Sequence, residues 1–176
     1  MKTTIAIILL VLCVTFAFGQ SKKSDKEEIQ NVIQLFMNSI VKKDSAVFYR
    51  LFHEDPITWI GVIKEKSQSK ILEQNPKRTK NYFNDTYRAF IKYIKEKEKS
   101  EEKFDNIQII NDDAVASVTF DYSFWSNNKM TNWGKESWHL IKTDSKWKIV
   151  SVIFSMELTK YFDQPPLNER IKRTSR

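Results

Sequence analysis

His139 is the residue with most scope for acid–base chemistry in a chain that holds only two histidines. It stands in Ser137-Trp138-His139-Leu140-Ile141, where an alternating pattern gives each side chain a fixed side of a strand. A neutral imidazole, with a reference pKa of roughly 6.5, is the usual proton-transfer group. With Tyr122 as hydrogen-bond donor it would enolise or dehydrate a small apolar substrate. The plainer role is a histidine satisfied by Ser137 or Ser151 in a half-polar core, because parity puts Asp121 on the other face and leaves no inward carboxylate beside it. A second cluster, His53-Glu54-Asp55, precedes Pro56. Asp55 would point into a pocket mouth there, whereas turn capping, and a helix dipole favouring His53, are the ordinary roles. Three or four converging metal ligands are not evident from two His and one Cys, so no metal is expected. Phosphate-binding glycine loops and serine-nucleophile elbows are missing too, and no cofactor is expected. Trp59, Phe120, Tyr122, Phe124 and Trp133 would line a cavity for a flat or lipidic ligand, although aromatics at a period of two are core residues first.

These side chains need elements to hold them. Ser24 and Asp25 can cap a helix whose apolar stripe is Ile29, Val32, Ile33, Phe36, Met37 and Ile40. Asp44 or Ser45 caps a short second helix, which Pro56 stops, and residues 57–63 are β-rich. A polar connection around Asn75-Pro76 leads to a third helix expected over 78–103. From Phe104 the period becomes two. Turn signals at Asp112-Asp113, Asn127-Asn128 and 144–146 divide four antiparallel strands near 104–110, 114–126, 129–142 and 147–157. Counting from these turns pairs Lys142 with Lys148 and gathers one face under the helices: Ile107, Ile109, Ala116, Val118, Phe120, Tyr122, Phe124, Ser137, His139, Ile141, Ile149, Ser151, Ile153 and Ser155. A slip of one residue would invert any strand. The other face is left with an apolar patch of Trp138, Leu140, Val150, Val152 and Phe154, which a sheet-to-sheet homodimer would cover, or else the segment from Leu158 to Leu167 folding back.

The chain has 176 residues, 41% of them apolar and 29% charged, which suits one folded domain. Residues 1–19 join Met1-Lys2 to an uncharged run from Ile5 to Phe18 and end in Ala17-Phe18-Gly19. That is the pattern of a secretory signal peptide cut before Gln20, and the expected location is secreted or periplasmic. The run falls short of the roughly 20 residues that span a bilayer, so no permanent membrane anchor is expected. Leu12 before Cys13 argues against a lipid anchor. The division expected is a signal peptide at 1–19, a domain at 20–157 and a basic tail at 158–176. Net charge is +7, but acids and bases alternate through 92–103, and only Arg170 to Arg176 is purely basic. A frayed soluble terminus is its ordinary meaning, and no nucleic-acid partner is expected.

Three N-terminal helices with a strand after the second, followed by four antiparallel strands, resemble the nuclear transport factor 2-like superfamily, SnoaL-like members included. The resemblance is carried by Gly134-Lys135-Glu136-Ser137-Trp138-His139-Leu140-Ile141-Lys142, by Lys146-Trp147-Lys148-Ile149-Val150-Ser151-Val152-Ile153-Phe154-Ser155, and by Phe52-His53-Glu54-Asp55-Pro56-Ile57-Thr58-Trp59. It is nearest to small secreted Bacteroidetes members and covers most of 25–157. It implies an α+β cone, with helices packed on a strongly curved antiparallel sheet, a pocket between them and frequent dimers through the convex face. It does not fix an activity, because the superfamily holds isomerases, dehydratases, cyclases and non-catalytic domains. Ser151 and Ile153 stand where many relatives carry histidines. The expectation is therefore a binding domain for a small apolar ligand or envelope partner, with an isomerase or dehydratase using His139 and Tyr122 as the alternative and a filled, purely structural cone as the third reading.

Overall fold

The computed structural model describes residues 24–54 and 56–174, with side chains described to residue 170. The expected signal peptide, its cleavage point at Gln20, and Asp55 lie outside the described residues, as do the tail side chains of Lys172, Arg173 and Arg176. The element order is α1 (Asp25–Lys42), α2 (Ser45–Arg50), β1 (Thr58–Ile63), α3 (Glu65–Gln74), β2 (Tyr82–Asn84), α4 (Tyr87–Glu96), β3 (Ser100–Asn111), β4 (Val115–Ser126), β5 (Lys129–Thr143), β6 (Lys146–Leu158) and α5 (Leu167–Thr174). The strands form one curved sheet in the order β2-β1-β6-β5-β4-β3. Only β1 and β6 run parallel.

The first helices form as their sequence dictates. The Ser24 hydroxyl accepts from the Glu27 N–H, and the Glu27 carboxylate accepts from the Ser24 N–H in return. This reciprocal cap satisfies amide groups that a helix start leaves without partners. Lys43, at a φ of 55°, closes the other end. Ile29, Val32, Ile33, Phe36 and Ile40 are buried against the sheet, with the Phe36 ring 4.7 Å from that of Trp138. Asp44 caps α2 through the Val47 N–H.

The expected helix over 78–103 is replaced by three elements. Strand β2 and helix α4 take its first part, and the charged stretch from Ser100 opens β3. Thr86 caps α4 through the Ala89 N–H, and Tyr87, Ile91 and Ile94 make its buried stripe. In β3, Ser100 and Glu102 face inward while Glu101 and Lys103 face out. The period is two, but its inward members are polar and give no hydrophobic signal. The connection expected to be irregular holds α3, whose buried positions are Ser67, Gln68 and Ile71.

All four meander strands form, and β4 keeps the expected faces: Ala116, Val118, Phe120, Tyr122 and Phe124 are buried. Strand β5 is inverted. Asn127 and Asn128, at φ values of 50° and 62°, make the expected tight turn. Trp125 then pairs with Met130 but Phe124 with Asn132, so Thr131 is an extra residue in β5. That bulge moves every later side chain to the opposite face. Gly134, Glu136, Trp138 and Leu140 point inward, and Ser137, His139 and Ile141 point outward. The β5–β6 hairpin turns on two residues, Asp144-Ser145, so Lys142 pairs with Trp147 instead of Lys148, and Val150 is an extra residue farther along β6. His139 does lie opposite Ser151, as expected, but on the outer face. A further bulge at Asn106, at a φ of 54°, leaves Ile107 exposed.

The patch expected on the outer face is thereby largely core. Trp138, Leu140 and Val152 are each no more than 1% exposed, and Phe154 packs against the same cluster. Four of the five residues that motivated a convex-face dimer are packed within one chain, while Val150 stays half-buried on the outer groove. The C-terminal segment is fastened as well, not frayed through residue 170: Trp133 Nε1 donates to the Phe162 carbonyl, and the Arg170 guanidinium lies 3.0 Å from Asp105 and 3.5 Å from Asp121. Among the described residues, no helix is long and apolar enough to cross a membrane.

Candidate functional site

Helices and inner sheet face do not close completely, and a cavity of about 310 Å³ remains between them. Strand β1 contributes Trp59, β2 Phe83, helix α1 Phe36, and helix α4 Phe90 and Tyr93, and these make the roof and one wall. Phe124, Phe154 and Met156 continue the apolar surface on the sheet side. The walls support one another through ring contacts, with Trp59 and Phe90 at 5.1 Å and Tyr122 and Phe154 edge to face at 5.9 Å.

The sheet supplies the polar floor. Tyr122 on β4 lies in the row of Phe104 and Gly134. Glu102 of β3 belongs to the row on one side, opposite Phe124, and Glu136 of β5 to the row on the other, opposite Phe120. Glu102 and Glu136 thus flank Tyr122 diagonally across three adjacent strands. They are 6% and 4% exposed, and both line the cavity. Glu136 Oε1 accepts a hydrogen bond of 2.5 Å from Trp138 Nε1. Glu102 has no hydrogen-bond partner among the described residues, and the Tyr122 hydroxyl donates to Asn132 Oδ1 at 3.1 Å. No Lys, Arg or His stands among the fourteen lining residues.

Burial without a counter-ion determines the protonation of this floor. Desolvation pushes the Glu136 carboxyl up to about 8, and the Trp138 N–H, which favours the charged form, holds it back. Glu102 is raised well above the carboxylate range, first by desolvation and then by the neighbouring Glu136. The same causes raise the Tyr122 phenol: burial, then Glu136, then Glu102. Burial without a described counter-ion therefore favours the neutral acid form of both groups. Such a pair can donate as well as accept, and can move a proton to or from a bound molecule. The two carboxyls titrate as a unit.

Of the residues singled out from sequence, Trp59, Tyr122 and Phe124 do line this cavity. Phe120 is fully buried beneath its floor, packed on Phe104 at 4.0 Å. Trp133 lies on another surface, its ring under the Lys64 ammonium at 4.5 Å. Ser137, His139 and Ser151 are on the outer face, with the sheet between them and the cavity. His139 edges a shallow outer groove beside Ile110 and Ser117, and it cannot act with the inward Tyr122 on one substrate. His53 Nδ1 lies 3.0 Å from the carbonyl of Glu54 and does not reach the cavity. No metal-binding group of His, Cys, Asp and Glu occurs among the described residues.

Both acids escaped the sequence reading. The helix expected over 78–103 includes Glu102, and parity counted from the Asn127-Asn128 turn puts Glu136 outward with Trp138 and Leu140. The signal for Glu136 is the alternation of Trp138 and Leu140 with the polar Ser137 and His139, because the core face is where two such large apolar side chains belong. Placing them inward carries Glu136 with them.

The helix order, the sheet and the pocket between them define a nuclear transport factor 2-like fold. Solved structures of that shape include a protein from Pseudomonas putida (TM-score 0.55, 10% identity, covering 82% of this chain and 100% of that one). A second, from Cytophaga hutchinsonii, gives a TM-score of 0.54 at 10% identity over 77% of this chain and 100% of that one. A protein of unknown function from Mycobacterium tuberculosis gives 0.53 at 15% identity over 75% and 76%. No curated protein matches the sequence. Within that superfamily, the chain belongs to the family described as "Putative lumazine-binding", whose model matches residues 24–155.

Proposed function

We propose that this is an exported ligand-binding protein that holds a small, flat, largely apolar molecule in the cone. The observation that carries the reading is the cavity, with aromatic walls and two buried acids at its floor. Binding sites of this kind are apolar concavities with a few polar groups that fix orientation. A planar heterocycle such as the one in the family's description would stack on the walls and set its N–H and C=O edge against the carboxyls. The leader-like segment at 1–19 supports export. Native mass spectrometry of the protein from its own host's periplasm or medium tests the reading. A bound mass released on denaturation supports it, and lumazine added to bare protein should quench Trp59 fluorescence if the heterocycle is right. Bare protein that takes up no small molecule would sink it.

A second reading, proton-transfer catalysis of isomerase or dehydratase type, is favoured by the unlike surroundings of the two acids. Glu136 is oriented by Trp138, and Glu102 has no such partner. In this version Glu136 and Glu102 replace His139. Turnover that survives the Glu102→Gln and Glu136→Gln changes together would exclude it.

A further inference from the structure

Cations are not scarce in this chain, with 29 Lys and Arg against 22 Asp and Glu. Some buried or partly buried acids have a base beside them, while Glu157, 4% exposed, accepts from the Ser67 hydroxyl at 2.5 Å. Asp121 has Lys135 at 3.1 Å and Arg170 at 3.5 Å, and Asp25 pairs with Lys142. The acids of the cavity are placed differently. Asp85, Glu102 and Glu136 line it, and no basic side chain among the described residues does. Glu102 is 6% exposed, faces the cavity and has no hydrogen-bond partner among the described residues. An acid so placed is costly to keep unless something outside the chain completes it. Trp59, Phe90 and Tyr93 also line the cavity, and aromatic rings can attract positive charge as well as apolar groups; the Tyr93 ring already has the Lys97 ammonium 4.6 Å from its centre.

We infer that the occupant of the cavity is an organic cation, an ammonium group directed at Glu102 and Glu136 with its apolar body against the aromatic wall. This rests on the binding reading and narrows it to a class of ligand. Binding has a proton consequence. The groups that face the two acids are Tyr122 from β4, Thr131 and Asn132 from β5, Tyr93 from α4 and Asp85 before it, with Trp138 behind Glu136. None of them is a base. In the empty cavity burial keeps the carboxyls protonated, and a cation drives one to ionise. Uptake releases about one proton, and affinity for a fixed charge rises with pH up to about 8.

The test titrates the full mature chain with benzyltrimethylammonium and with its uncharged carbon isostere neopentylbenzene, from pH 6 to 8. The cation should bind about tenfold tighter or better at pH 7.5, with a margin that widens as pH rises. The Glu102→Gln, Glu136→Gln double variant should lose this preference while still taking the isostere, which shows that its pocket is intact. An isostere that binds wild type as well as the cation overturns the inference and leaves the binding reading standing. If neither probe binds, the inference is overturned too, and native mass spectrometry then separates the readings: a retained neutral molecule preserves the pocket, and bare protein removes both.

Discussion

Two sets of buried acids lie on opposite faces of the same strands, and they are treated differently. On the outer face Asp121 accepts from Asn106 Nδ2 at 2.6 Å and sits between Lys135 and Arg170, with Asp105 sharing the guanidinium. Every charge there has an opposite, and the set fastens the C-terminal segment to the sheet. On the inner face Glu136 accepts from one indole N–H, and Glu102 has no hydrogen-bond partner among the described residues. A buried carboxyl with partners is part of the scaffold; one without them lowers stability and is retained for what it meets. The contrast identifies the working face without reference to any relative.

The contrast can be broken by experiment. The largest effect should follow Trp138→Ala, which opens a hole in the core and removes the donor to Glu136. A loss of about 3–5 kcal/mol in urea unfolding is expected, as for other buried Trp truncations. Next comes Glu136→Gln, with the opposite sign. The folded pKa of about 8 lies above the unfolded value of 4.5, so the folded state holds a proton that the unfolded state gives up between them. This group's contribution is most favourable below pH 4.5, declines as pH rises to about 8 and is flat beyond. The glutamine variant should therefore gain on wild type across that window, reaching roughly 2–5 kcal/mol at pH 8. A constant difference from pH 5 to pH 8 would mean that Glu136 is ionised throughout. Asp121→Asn should cost about 1–3 kcal/mol, because it strips a buried partner from Arg170; equal stability would abolish the distinction between the two faces. Smallest of all, His139→Ala should stay within about 0.5 kcal/mol and leave ligand binding unchanged, as expected of an exposed outer-face residue.

Much of this fold can be read from the sequence. Helix α1 is specified by Ser24, Glu27 and an unbroken apolar stripe, and β4 by strict alternation behind an Asn-Asn turn. The site is harder to read because its two acids depend on features with no local signature. Thr131 looks like any strand residue, and only its pairing shows that it is the extra one. Glu102 belongs to a charged stretch that satisfies helix composition, and its inward orientation is set by pairing with Phe124 across β4. A parity argument is only as good as its last bulge, whereas the demand that Trp138 be buried holds whatever the register.

The parallel pairing of β1 with β6 has a consequence for the order of assembly. From β4 to β6 each strand meets its predecessor through a short turn, so three of the contacts in the sheet close over small loops. Strand β1 has no such neighbour. It waits for β6, with Thr58 opposite Ser151, and brings Trp59 to the cavity only then. Non-local pairing of this kind is slow, since chain entropy is lost before contacts form. During synthesis β1 cannot complete its pairing until the last strand emerges, and the cavity that Trp59 lines is not complete before then. Hydrogen-exchange labelling during refolding should find the β1 amides protected after those of the β4–β5 hairpin.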